Sequence, residues 1–554
     1  MSLHQIHKKI KSTKTVFKHI SLPVVSLFCV SLYCSVGVSF ADTVDAKFPK
    51  SPKDKDHVFT RMFKNLPAFA LSTDENRLAV QIMGAKGGLL DAKDNLSNPI
   101  QSIINQPIFS PNNPDNPNMT AGVTFFGQFL DHDITLDKKS ELMKKANPKK
   151  TVNFRTAAFD LDSLYGNGSE GSPQIYDLSS GFIKFIVEAI PGSEAVSRHN
   201  ATRYDLPRDA NGEAIVAESR NDENIVLSQF HLAMLKFHNA VTDELIAKYD
   251  NDKTKAVSIF KEAQQIVRWH YQWIILNEFL PQTIGQNRVD EILAKTAMTY
   301  DLNDPENYHE IGEGKYAVKT PRIPVEFSAA AYRFGHSQVR PSYRVNFGPT
   351  GGSPFFAFVF DDSIDGKPAD PADMRGGVRA PRRFVDWQTF FNFGDGLFRP
   401  NKRIDSKLSS PLFLLPGVKV ALAGMPNDGE QSLASRNLIR HVNFGLPSGQ
   451  AIAKQIGVPA LTKEQLVDLA SYGLEESTPL WFYTLKEAEI MESGLRLGPV
   501  GSHIVGEVFV GLLRADKTAY LNSNPGWKPT LPSKTAGTFK ITDLLRFAGV
   551  VPDL

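Results

Sequence analysis

Apolar residues recur at helical spacing in several stretches of this chain. The first predicted helix covers about 121–136. A longer one starts near Asp222 and runs to about Tyr249, with Leu227, Phe230, Met234, Phe237 and Val241 on one face. A third covers about 255–280, through IFKEAQQIVRWHYQWIILNEFL, with Pro281 just past its end. Further helices fit 325–338, 462–472, 484–492 and 503–514, whereas period-two alternation is scarce and YRVNF at 343–347 is the best strand. Residues 42–120, rich in Pro, Asn and Asp as in SPNNPDNPNMT, read as an irregular segment packed on the core. The pattern predicts a mainly α fold, one large helical domain over 121–554 with long loops, little β and no linker between halves.

Composition narrows the class. Of 554 residues, 42% are hydrophobic and 22% charged, which is ordinary globular usage. A net charge of +2 gives no general electrostatic case for nucleic acid or an anionic membrane. The first twenty residues carry Lys8, Lys9, Lys11, Lys14 and Lys18 and no acid. The apolar run SLPVVSLFCVSLYCSVGVSFA follows and ends in small residues at Ser39 and Ala41. This is the layout of a secretory signal peptide over 1–41. A membrane anchor is the competing reading, and Pro23, several serines and the cleavable end speak against it. Secretion or a periplasmic address is expected, without stable membrane insertion after cleavage. Both cysteines, Cys29 and Cys34, lie in this segment, so a chain starting at Asp42 has no thiol and no disulfide. That suits chemistry that makes oxidants, because thiols oxidise easily.

Four short motifs carry candidate chemistry. In FGQFLDHDITL, Asp131, His132 and Asp133 stand in a row among apolar residues, and buried carboxylates need partners. On a helix Gln128 and His132 share a face, while Asp131 and Asp133 diverge from it by about 100° on either side. A solvated acidic helix end is the simpler explanation of this triplet alone. In TAAFDLDSLYG, Thr156, Asp160 and Asp162 offer side-chain oxygens and Ala158 a carbonyl, the alternating donors that a hard cation requires, although a polar turn has the same look. AESRNDEN places Arg220 and Glu223 three apart, which a surface ion pair or a helix cap also explains. EFSAAAYRFGHSQVRPSYRVNF combines small residues with Arg333 and His336, leaving room for something flat, though a core histidine is the default for any single one.

In order and spacing these motifs resemble the animal-type haem peroxidases of the peroxidase–cyclooxygenase superfamily. The resemblance extends over about 50–550 and includes QWIILNEFLPQTIG, RNLIRHVNFGLPSGQAIA and RLGPVGSHIVGEVFVGLL. It implies haem b buried between central helices, with His336 as the proximal iron ligand and Asn437 as acceptor for its other ring nitrogen. His132 resembles the distal histidine, Arg220 the distal arginine and Gln128 the distal glutamine, and Arg333 the partner of a haem propionate. Asp131 and Glu223 fall on the two carboxylates that esterify haem methyls in mammalian members. The sulfonium-forming methionine of that family would fall at Asn224, a departure that argues against strong halide oxidation. Asp133, Thr156, Ala158 (carbonyl), Asp160 and Asp162 resemble the calcium site. The implied activity is reduction of hydrogen peroxide and oxidation of small donors, namely halide, thiocyanate or phenols, through a ferryl haem intermediate. Two other readings stay open: a fatty-acid dioxygenase of the same superfamily, and a non-enzymatic haem-binding or adhesive secreted protein. The dioxygenase needs a tyrosine three residues before the proximal histidine, where this chain has Arg333, with Tyr332 one step off.

Overall fold

The computed structural model describes residues 57–103, 112–311, 318–418 and 429–551. The expected signal segment and both cysteines lie outside them, and Phe48–Leu554 group into one unit. Seven longer helices carry the architecture: α1 (Asp74–Gly84), α2 (Ala121–Ile134), α3 (Ile225–Lys248), α4 (Ala256–Ile274), α5 (Leu433–Phe444), α6 (Leu480–Met491) and α7 (Pro499–Ala515). Strands among the described residues form four separate antiparallel pairs, one of them Ser342–Asn346 with Phe355–Phe358, where YRVNF predicts a strand. The fold is mainly helical, as expected. Among the described residues no helix is long and apolar enough to cross a membrane.

Helix α2 is buried on nearly every side, the signature of a central helix. Phe126 and Phe129 meet Phe230 of α3 at ring-centroid distances of 5.5 and 5.3 Å, and Phe126 meets Phe279 at 5.7 Å. Gly122 permits a close approach, because a Cβ there would stand 2.3 Å from the Phe391 ring. Helix α3 starts at Asn224, whose side-chain oxygen accepts from Leu227 N at 2.9 Å, an N-cap worth roughly 1 kcal/mol.

Three predicted helices differ in detail. The 255–280 stretch is α-helical to Ile274, passes through a π turn at Ile275–Phe279 and continues as Leu280–Ile284. Pro281 lies inside this last piece, directly after the π turn, and Gly285 at φ +90° ends it. The 325–338 stretch is broken at Ala330 (φ −134°, ψ −84°) into a short helix Val325–Ser328, a 3-10 turn Ala331–Phe334 and a last turn Gly335–Gln338. Side chains take over the carbonyls this break exposes: Arg333 Nε donates to Ser328 O at 2.9 Å and Trp481 Nε1 of α6 to Arg333 O at 3.1 Å. The 462–472 stretch is a 3-10 helix, Glu464–Tyr472, kinked at Leu466. In the segment expected to be irregular, α1 packs on α5, with Ser435 Oγ donating to Gln81 O at 2.9 Å. A Cβ on Gly84 would stand 2.5 Å from Ser435 N, so only glycine lets these backbones approach.

Candidate active site and cation site

A cavity of about 590 Å³ opens between α2, the turn after Glu218, the broken 331–338 segment and α5. Gln128, Asp131, His132, Arg220, Glu223, Arg333, His336 and Asn437 all line it. Every residue expected at the haem is therefore brought to one space.

His132 is buried, and its Nδ1 lies 2.9 Å from Asn221 Oδ1. The Asn221 amide nitrogen in turn lies 2.8 Å from His231 Nδ1. This chain makes Asn221 Oδ1 the acceptor, so His132 carries its proton on Nδ1 and leaves Nε2 free as a base. Burial, then the charge of Arg220, lowers the His132 pKa to about 3, so the ring is neutral. Arg220 is fixed by Glu218, through Nε and Nη2 at 3.0 Å each, and donates to the carbonyls of His132 and Thr135 at 3.2 and 2.7 Å.

Glu223 accepts from the Gln128 amide nitrogen and lies 3.9 Å from His132 Nε2. Asn224 donates to Gln128 Oε1 at 3.3 Å. Gly376 N donates to Glu223 O at 2.9 Å, and a Cβ on Gly376 would collide with Asp222 O at 1.7 Å, so this glycine sets where Glu223 stands. Burial pushes the Glu223 carboxyl up to about 8, against the pull of Arg220. Burial likewise raises Asp131, opposed by Arg220 and Arg333, while Thr135 Oγ1 donates to it at 3.0 Å.

On the other wall, burial and then Arg333 lower the His336 pKa to about 3, leaving a neutral imidazole suited to ligate a metal. Asn437 is its partner at 2.8 Å, but in the reverse sense to that expected. The amide nitrogen faces His336 Nδ1, because Arg333 Nη1 donates to Asn437 Oδ1 at 3.0 Å and claims the oxygen. Arg333, expected on a propionate, is thus tied to Asn437 and Ser328; burial lowers its pKa to about 10, with Asp131 opposing. The residues fit haem. A neutral histidine faces the cavity, and Lys138, Arg220, Arg333, Arg436 and Arg440 outnumber Asp131, Asp137 and Glu223 along its wall, as a group with two carboxylates requires. Arg333 on a propionate would release Asn437 Oδ1 to His336.

Asp133 points away from the cavity. It is fully buried and accepts from Ser163 Oγ at 2.7 Å, Tyr271 Oη at 3.1 Å and Leu161 N at 3.2 Å. Oxygens of Asp133, Asp160 and Asp162 lie within 4.8 Å of one another. Thr156 Oγ1 donates to Asp160 at 2.9 Å and Thr156 N to Asp162 at 3.1 Å, with Ala158 between them in the loop. Burial and then mutual repulsion push Asp160 up to about 7 and Asp133 well above the usual carboxylate range; burial also raises Asp162, with Arg155 opposing. Three carboxylates forced together in this way fit a divalent cation, which would offset both costs.

Sequence reasoning missed Asn221, His231, Glu218, Arg155 and Tyr271. Asn221, His231, Arg155 and Tyr271 act through side chains across tertiary contacts, which no local pattern marks, whereas Glu218 stands two residues from Arg220 in a motif read only for Arg220 and Glu223.

The model of the animal haem peroxidase family matches residues 136–526. The match begins just past His132 and contains Arg220, Glu223, His336 and Asn437. Among curated proteins, thyroid peroxidase of Homo sapiens is 21% identical over 425 residues, covering 69% of this chain and 40% of that protein. Peroxinectin A of Dictyostelium discoideum is 23% identical over 315 residues, covering 55% and 49%. The chain thus spans less than half the length of these relatives. Among solved structures, peroxidase A from Dictyostelium discoideum superposes with a TM-score of 0.55 at 18% identity, covering 88% of this chain and 92% of that one. Fatty acid alpha-dioxygenase from Oryza sativa superposes with a TM-score of 0.50 at 13% identity, covering 90% and 86%. The chain belongs to the animal haem peroxidase family.

Proposed function

We propose that this chain is an exported haem peroxidase that reduces hydrogen peroxide and oxidises small donors such as halide, thiocyanate or phenols. The observation that carries the reading is the single cavity shared by His132 with a free Nε2, by Arg220 and by the neutral His336. Haem bound at His336 would supply the electrons that cleave the O–O bond. His132 Nε2 takes the proton from one peroxide oxygen and returns it to the other, which leaves as water. Such assistance contributes about 10²–10⁴-fold. Arg220, held by Glu218 and two carbonyls, meets the negative charge that develops on the departing oxygen. Once Arg333 releases Asn437 Oδ1, His336 would donate its Nδ1–H to that oxygen and gain ligand strength. Calcium at Asp133, Asp160, Asp162, Thr156 and the Ala158 carbonyl is structural in this reading. An absorption spectrum of the purified chain, with and without acid-acetone extraction, tests haem binding, and peroxide turnover tests the chemistry. A Soret band without turnover would favour a binding or adhesive protein instead.

Asp131 and Glu223 are the candidates for ester links to haem. Asn224 cannot form a sulfonium, and its side chain is committed to capping α3 and holding Gln128. A weaker oxidant follows, so bromide, iodide, thiocyanate or phenols are expected as donors rather than chloride. Mass spectrometry of haem peptides after peroxide treatment is expected to find ester-linked haem, and fully extractable haem after repeated turnover would refute it. Efficient chlorination at neutral pH would refute the inference from Asn224.

One observation favours the dioxygenase alternative: Tyr332 lines the cavity. Its hydroxyl, however, donates to Gly127 O at 3.0 Å and its ring stacks on Phe327 at 4.8 Å, so it is tethered to the wall. Oxygen consumption on adding a long-chain fatty acid would support that alternative.

A further inference from the structure

Buried charges persist where they are paired. Four charges, Arg155 and Glu218 buried and Asp162 and Arg220 half-buried, form a ladder from the carboxylate cluster to Arg220. Asp162 accepts from Arg155 Nη1 at 3.2 Å, and Arg155 Nε donates to Glu218 Oε2 at 2.8 Å. Glu218 then accepts from Arg220 Nε and Nη2 at 3.0 Å each. Arg155 is 9% exposed and Glu218 1%, and neither lines the cavity. Arg155 Nη2 also donates to Ala217 O at 2.8 Å, so its guanidinium is held at three points. Burial alone would raise the Glu218 carboxyl, but Arg220 and Arg155 hold it below the usual range.

We propose that Arg155 and Glu218 are positioning residues that tie Arg220 to the carboxylate cluster, so that a cation held there and an anion held beside Arg220 affect each other's binding. The proposal rests on the reading of Arg220 as the anion-stabilising group of the cavity. Its physical basis is a shared partner at each rung. Asp162 divides its charge between Arg155 and a cation. Arg155 released from Asp162 closes on Glu218, and Glu218 divides its oxygens between the two arginines. A change at one end therefore shifts the guanidinium at the other, and the effect is reciprocal.

The test uses the haem-loaded full chain and sodium fluoride, an anion whose binding at the ferric haem is read from the absorption spectrum. Arg155→Met is expected to weaken fluoride binding about tenfold, within the usual range of coupling between sites. Arg155→Lys should recover part of that loss. In an Arg220→Lys background the Arg155→Met loss should vanish, because the two act through one path. Calcium removal with EDTA should shift fluoride affinity more in the wild type than in Arg155→Met. Additive losses in the double variant, or an equal EDTA shift in Arg155→Met, overturn the relay alone. Fluoride affinity unaffected by Arg220→Lys overturns the reading of Arg220 and the relay with it. If Arg155→Met does not fold, the same cycle and the same EDTA comparison made with Arg155→Lys decide the question.

Discussion

At the scale of single residues, His132 is informative because its chemistry depends on a neighbour that the sequence does not advertise. The D-H-D triplet places a histidine between two carboxylates, and its three side chains do face three ways: Asp131 the cavity wall, His132 the cavity, Asp133 the carboxylate cluster. What leaves His132 Nε2 free is Asn221, which accepts a hydrogen bond from Nδ1. Asn221→Leu removes that acceptor and leaves His231 Nδ1 without its donor. The rate of reaction with peroxide is expected to fall about 10–100-fold with haem content unchanged, the usual cost of losing a partner behind an active group. Asn221→Asp, which keeps an acceptor, should lose less. Stopped-flow rates on haem-matched samples check this, and an unchanged rate in Asn221→Leu would remove Asn221 from the mechanism.

At the scale of elements, period and punctuation made the long helices legible. Helices α2 and α3 lie where their apolar spacing predicted, within a few residues at their ends. The failures have local causes. Helix α6 starts at Leu480, before the predicted 484, because LWFYTL is buried all round and has no polar face to mark its period. The 325–338 segment breaks at Ala330, where carbonyls are satisfied by side chains, Arg333 from within the segment and Trp481 from α6, which local propensity does not register. One contact between elements gives a pH-dependent prediction. Glu487 of α6 is fully buried and accepts from Val500 N at 3.0 Å and Gly501 N at 3.2 Å in the first turn of α7. Glu487→Ala leaves these buried amides unsatisfied and should cost about 1–3 kcal/mol in a thermal melt. Burial raises the Glu487 pKa from 4.5 to about 7, against its hydrogen bonds to the Val500 and Gly501 amides. The folded chain therefore holds this proton more tightly than the unfolded one. Stability from it is full below about 4.5 and is lost as pH rises through about 7. The stability of wild type relative to Glu487→Gln is expected to fall from about pH 5 to about pH 8, and a difference that grows with pH would contradict the assignment.

At the scale of the whole molecule, the site is assembled from parts remote in the chain. His132 lies on α2, Arg220 before α3, His336 on the broken segment and Asn437 on α5, with α1 packed behind α5. The sequence motifs marked the residues that line the cavity. They did not mark the direction of the Asn437 amide or the ladder through Arg155 and Glu218, which depend on contacts between distant segments. If a cation joins α2 to the 156–162 loop, Asp160→Ala should lower both the melting temperature and haem occupancy, because Asp133 and His132 are adjacent on one helix. EDTA treatment of the wild type should act in the same direction. Unchanged melting with and without chelator would count against calcium.

The central claim is that His132 serves peroxide chemistry rather than haem binding, and one comparison tests it directly. Wild type and His132→Ala are matched for haem content by their Soret absorbance and mixed with hydrogen peroxide in a stopped-flow instrument. The account predicts that His132→Ala retains its haem while its second-order rate constant falls about 10²–10⁴-fold, the contribution of general acid–base catalysis. A His132→Ala protein that reacts at the wild-type rate would contradict it.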